Sequence, residues 1–216
     1  IASFYDQAAT GKIEIVKSDA VDSSALAGAV FEIRAAEDIT RADGSMVALA
    51  GETVATVETD EQGKANINGL SLGSGIAHYE VVEVSAPEGY LLDPTPHAVE
   101  LTYADQDTPV VHARVEVSND YTKVDISKAD VTDQTEIEGA QLVLLDANGE
   151  TIETWTSTAT PHRIEHLAPG SYTLRETMSP RTYDMAEDVT FELKETGDIQ
   201  KVVMNDAPIE IIGRVD

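Results

Sequence analysis

Two short stretches of this chain carry the same unusual pattern. Tyr79-Glu80-Val81-Val82-Glu83 and Tyr172-Thr173-Leu174-Arg175-Glu176 both read as β-strand. Successive side chains of a strand alternate between faces, so Tyr79, Val81 and Glu83 share one face, as do Tyr172, Leu174 and Glu176. Each strand therefore points a carboxyl group the same way as a tyrosine and an aliphatic side chain. An unpaired charge on a buried face is costly, so each glutamate needs partners there.

The surroundings of the two stretches repeat as well. Ile13, Ile15 and Lys17 share a strand face, and so do Val124, Ile126 and Lys128. Gly28-Ala29 follows Lys17 by eleven residues, and Gly139-Ala140 follows Lys128 by the same eleven. Pro87 and Tyr90 stand four and seven residues after Glu83, as Pro180 and Tyr183 do after Glu176. Turn signals at Ala42–Ser45, Asp60–Gly63 and Asn148-Gly149 separate short strand patterns, which continue to Asn119 in the first copy and to Asn205 in the second. Two copies of a seven-strand pattern with few helical signals predict an all-β chain, two β-sandwich domains in tandem over residues 11–121 and 122–208. The first copy is longer, mostly between its Gly-Ala and its Tyr79 strand. Residues 1–10 read as a linker or the end of a preceding module. Residues 209–216 read as a linker or the start of a next one, since Arg214-Val215-Asp216 echoes Lys123-Val124-Asp125. With Ile rather than Met first, the chain reads as a fragment or mature segment of something longer.

Composition narrows the function classes. Forty acidic residues face 14 basic ones, a net charge of −26, which repels nucleic acid and anionic membranes. No apolar run approaches the ~18 residues that span a bilayer. The absence of cysteine excludes disulfides, thiolate metal sites and cysteine nucleophiles. A hydrophobic content of 42% over 216 residues is enough for two real cores.

Within those cores the alternation places three polar residues per copy on the apolar phase. They are Lys17, Glu83 and Asn119 in the first, and Lys128, Glu176 and Asn205 (after Val203) in the second. Such a trio can build a covalent bond. A lysine desolvated in a core becomes a neutral, nucleophilic amine, and a carboxyl group there favours its protonated form. A glutamic acid between the amine and a side-chain amide would polarise the carbonyl and carry protons as ammonia leaves. The fold supplies the proximity. The plainer reading is a buried salt bridge with a hydrogen-bonded asparagine, or three residues near strand ends.

These residues resemble the Cna B-type domains of Gram-positive surface proteins and pilins. The segments that carry the resemblance are IEIVKSD, AGAVFEI and YEVVEV in the first copy, and VDISKAD, EGAQLVLL and YTLRET in the second. APEGY at Ala86–Tyr90 also fits, whereas the second copy departs from it as SPRTY, and Val84 stands where threonine is common. VEVSND at Asn119 and VVMND at Asn205 match the last strand. The resemblance covers about Gly11–Pro208. It implies inverse immunoglobulin-like sandwiches with isopeptide bonds Lys17–Asn119 and Lys128–Asn205, catalysed by Glu83 and Glu176. It also implies an extracellular stalk on a bacterial cell surface, without cofactor or turnover, whose partners are the neighbouring domains of the same protein.

Rival readings rest on thinner signals. His162-Arg163-Ile164-Glu165-His166 fits H-x-x-E-H, a zinc spacing when helical. On a strand, residues four apart lie ~13 Å from each other, too far to share a metal, so no metal is expected. The turns at Asp43 and Asp60 lack the spacing of a calcium loop. A ligand-binding module for a host matrix protein or glycan is the alternative function, with Ala35–Gly51 as its binding loop. Trp155 reads as core rather than as an exposed platform. No LPxTG-type sorting signal or pilin-type linking lysine is evident.

Overall fold

The structure, a computed structural model, describes residues 9–209. The expectations for residues 1–8 and for the echo at Arg214–Asp216 lie outside that range. The chain divides into two units, Ile1–Asp120 and Tyr121–Asp216.

In the first unit the strands are β1 (Thr10–Asp19), β2 (Val30–Ala35), β3 (Ile39–Thr40), β4 (Met46–Ala48), β5 (Thr53–Glu58), β6 (Lys64–Ser71), β7 (Ile76–Ser85), β8 (His97–Thr102) and β9 (Val110–Asn119). β1 therefore starts one residue inside the stretch expected to be linker. The second unit holds β10 (Lys123–Asp130), β11 (Gln141–Leu145), β12 (Thr151–Thr156), β13 (His162–Glu165), β14 (Gly170–Met178), β15 (Val189–Leu193) and β16 (Ile199–Asp206). No described residue is helical.

Each unit is a sandwich of a three-stranded and a four-stranded sheet. The orders are β6-β1-β9 and β5-β2-β7-β8 in the first, β13-β10-β16 and β12-β11-β14-β15 in the second. All pairings within these sheets are antiparallel except one per unit. The first and last strands, β1 with β9 and β10 with β16, run parallel. Strict alternation builds the cores: β1 has every second residue buried, from Gly11 through Ile13, Ile15 and Lys17 to Asp19. Ile13, Ile15, Phe31, Ile33, Tyr79 and Val81 centre the first core; Val124, Ile126, Leu142, Leu144, Leu174 and Met204 centre the second.

The Gly-Ala repeat has a steric reason. Gly28 and Gly139 have φ of 83° and 90°, a backbone conformation that side chains disfavour, and each turns the chain so that the next alanine is wholly buried. The longer stretch of the first copy forms the β3–β4 hairpin, and Ile39 and Ala48 anchor it in the core. The segment proposed as a free binding loop is thus partly a core element.

Candidate functional site

The strand phases bring Lys17, Glu83 and Asn119 together in the first unit, each no more than 1% exposed. Lys17 Nζ lies 3.6 Å from Glu83 Oε1. Asn119 Nδ2 donates to Glu83 Oε2 at 2.8 Å and to the backbone oxygen of Leu91 at 2.7 Å. The carboxylate stands between amine and amide. Lys17 Nζ, Glu83 Oε1 and Asn119 Oδ1 are buried without a hydrogen-bond partner. Burial lowers the Lys17 pKa from its ordinary value, against the opposing pull of Glu83 and, more weakly, Asp93.

The second unit repeats the arrangement with one correction. Lys128 and Glu176 are buried as expected, and Lys128 Nζ lies 3.3 Å from Glu176 Oε2. Asn205, however, is exposed and accepts a hydrogen bond from Gln134 Nε2 at 3.2 Å. The buried partner is Asp206, at 1% exposure, whose Oδ1 accepts from Lys128 Nζ. Burial raises the Asp206 pKa from the ordinary carboxylate value, opposed by Lys128 and assisted by Glu176.

The misplacement is a slip of one residue, which exchanges the two faces of a strand. Val203 looks like a core residue in the sequence but is 42% exposed, while Met204 is fully buried. Strand register identifies the equivalent position. Lys17 pairs with Val117 and Asn119 lies two residues on; Lys128 pairs with Met204 and Asp206 lies two residues on. Counting on two residues from the apolar Met204, rather than matching the shared Asn-Asp dipeptide, is the signal that could have found it.

Two further features were missed. In both units a register irregularity falls next to the glutamate: Val30 pairs with Ser85 but Phe31 with Glu83, and Gln141 pairs with Met178 but Leu142 with Glu176. Such bulges re-aim a neighbouring side chain. The loop after each glutamate strand also closes over the trio. The Asp93 amide donates to Glu83 Oε2 at 3.1 Å, and the Ala186 amide donates to Glu176 Oε2 at 2.7 Å. APEGY and SPRTY form the same hydrogen-bonded turn, Tyr90 N to Pro87 O and Tyr183 N to Pro180 O. Gly89 takes a φ of 82°. Thr182, at the matching position, has no positive φ, so the same hydrogen bond is closed over a different backbone conformation in the second copy.

The H-x-x-E-H residues point elsewhere. β13 carries His162, which stacks on Trp155 and contacts Glu153, while His166 stacks on Tyr121. Trp155 packs against the second core. Among the described residues no three histidine, aspartate or glutamate side chains are grouped to hold a metal ion.

The SpaA prealbumin-like fold domain model matches residues 11–116 and again 122–208. The chain belongs to this family. Its two matched segments are the two sandwiches. The serine-aspartate repeat-containing protein F of Staphylococcus epidermidis is 29% identical over 164 residues, covering 66% of this chain and 10% of that protein. The chain thus spans about a tenth of the length of that relative. Among solved structures, the Bacillus anthracis TIE protein aligns with 93% of this chain and 34% of its own, at 26% identity and a TM-score of 0.48. The shaft pilin SpaA from Lactobacillus rhamnosus GG aligns with 95% of this chain and 99% of its own, at 17% identity and a TM-score of 0.43.

Proposed function

We propose that the chain is a load-bearing spacer of a bacterial cell-surface protein or pilus, each SpaA-type domain locked by one self-formed amide bond. The observation that carries this reading is the buried lysine–glutamate–acyl trio, present in both domains at the same strand register. Its extracellular, Gram-positive setting rests on the family and on the staphylococcal relative.

In the first domain the bond would join Lys17 Nζ to Asn119 Cγ. The neutral amine attacks the amide carbon, Glu83 takes a proton from the attacking nitrogen and gives one to the departing group, and ammonia leaves. In the second domain the acceptor is Asp206 rather than Asn205. Lys128 Nζ would bond to Asp206 Cγ, with Glu176 as proton carrier, and the C–O bond breaks to release water. Burial supports the reactive forms of two of these groups, a neutral Lys17 and a protonated Asp206. Each glutamate ends as it began, and each bond forms once, so there is no turnover.

The bond's position suits a stalk. It ties the strand by which the chain enters each domain to the strand by which it leaves, so tension would bypass the rest of the sandwich. Partners are then the neighbouring domains of the same protein. Intact-mass measurement tests the proposal. The expected mass is the sequence mass less one ammonia and one water; the full sequence mass would overturn it.

A further inference from the structure

Each trio is closed by a loop whose fastening uses the same two side chains in both domains. Asp19 and Asp130 follow their lysines by two residues on the same strand face, and both are buried. One oxygen of each holds the turn after its strand: Asp19 Oδ1 accepts from the Val21 and Asp22 amides, Asp130 Oδ1 from the Thr132 amide and hydroxyl. The other takes a tyrosine hydroxyl from the loop. Tyr90 donates to Asp19 Oδ2 at 2.8 Å, and Tyr183 donates to Asp130 Oδ2 at 3.0 Å.

The loop ties together the three strands that bring the reactive groups. Its tyrosine reaches the lysine strand. Its Asp93 or Ala186 amide orients the glutamate. Its backbone is fastened to the residue after the acyl position, Leu91 N to Asp120 O in the first domain and Asp184 N to Ala207 O in the second. In the first domain the Leu91 carbonyl also receives the Asn119 nitrogen that is to leave. Opening the loop would free the glutamate from its amide donor and admit water to an amine and an acyl group whose reactive forms depend on dryness.

We propose that Tyr90–Asp19 and Tyr183–Asp130 are latches, positioning residues that set the rate of bond formation by holding this loop shut over the trio. The proposal rests on the crosslink reading above. It adds four residues to that chemistry, each acting through the loop and the lysine strand it joins. SPRTY serves as well as APEGY because the latch needs the tyrosine at its offset from the glutamate, not the glycine before it.

The test follows the first folding of the whole chain, made by chemical synthesis and kept in denaturant until dilution so that neither bond has yet formed. Folding of the second domain is read by Trp155 fluorescence, and water loss at the Lys128–Asp206 pair by peptide mass mapping over time. In Y183F folding stays within about twofold, while water loss slows roughly tenfold, the effect expected from one hydrogen bond to a charged acceptor. Ammonia loss in the first domain keeps its rate and serves as the internal control. D130A slows water loss like Y183F, whereas D130N, which keeps a polar partner for the Tyr183 hydroxyl, recovers most of the rate. If the unaltered chain loses water and Y183F loses it equally fast, or slows only in step with folding, the latch is overturned and the crosslink stands. If the unaltered chain loses no water, both fall.

Discussion

Lys17 sits fully buried with an amine that lacks a hydrogen-bond partner, beside a carboxamide whose oxygen lacks one too. Unmet groups of this kind each cost on the order of 1–3 kcal/mol, and converting amine and amide into one secondary amide would leave a single N–H donor where the amine stood. If the proposed bonds form, the two acceptors should give the domains opposite pH behaviour. Lys17 is shifted down, so its neutral fraction grows as pH rises through the lowered value, and ammonia loss in the first domain should accelerate with pH. Asp206 is shifted up, so its protonated form persists above the ordinary carboxylate range and is lost as pH rises through the raised value; water loss in the second domain should slow there. Timed mass mapping across a pH series checks both slopes, and parallel slopes would count against the assignment. The acceptor itself is checked by substitution. D206A leaves the second domain uncrosslinked, D206N restores a bond but releases ammonia, and N205A changes neither mass nor bond.

The parallel pairing of first and last strands is the element that makes the site. It aligns Asp19 with Asn119 and Asp130 with Asp206, setting the acyl group two residues beyond the position opposite each lysine. The turn before β6 guards that alignment. Gly63 accepts from the Lys17 amide at 2.7 Å and has a φ of 68°, and an added Cβ would collide with the Lys17 backbone oxygen. G63A should destabilise the first domain by about 2 kcal/mol or more, through a strained backbone and a displaced β1, and leave the second domain unmoved. Calorimetry reads the two separately. The lysine and glutamate positions were legible because β1 and β14 alternate cleanly and β10 does so as far as Lys128, while β7, where Val82 is buried beside Glu83, was legible from its twin. Asn205 was misread because β16 carries apolar residues on both faces, Val203 outside and Met204 inside, and only pairing with β10 distinguishes them.

At the scale of the whole chain, two cores with separate residue sets predict two unfolding transitions. Closing a loop of about 100 residues removes unfolded-state entropy worth ~4.7 kcal/mol in the chain-entropy model. E83A should therefore lower the first-domain transition and restore the mass of one ammonia, and E176A should lower the second and restore one water. Equal transitions and masses in the variants would remove the glutamates from the chemistry. Under force, an intact chain should show no extension from residues between the crosslinked pairs, whereas E176A should release those between Lys128 and Asp206.

Residue alternation and repetition determined the all-β class, the doubling of the sandwich, and the inward lysines and glutamates, because each is a local property of one strand or a comparison of like strands. Tertiary structure alone decided which residue of β16 faces Lys128 and where the long stretch of the first copy docks. It also decided that a tyrosine and an aspartate far apart in sequence meet over each trio. These depend on register between strands that are distant in the chain, and a shift of one residue there reverses every side chain.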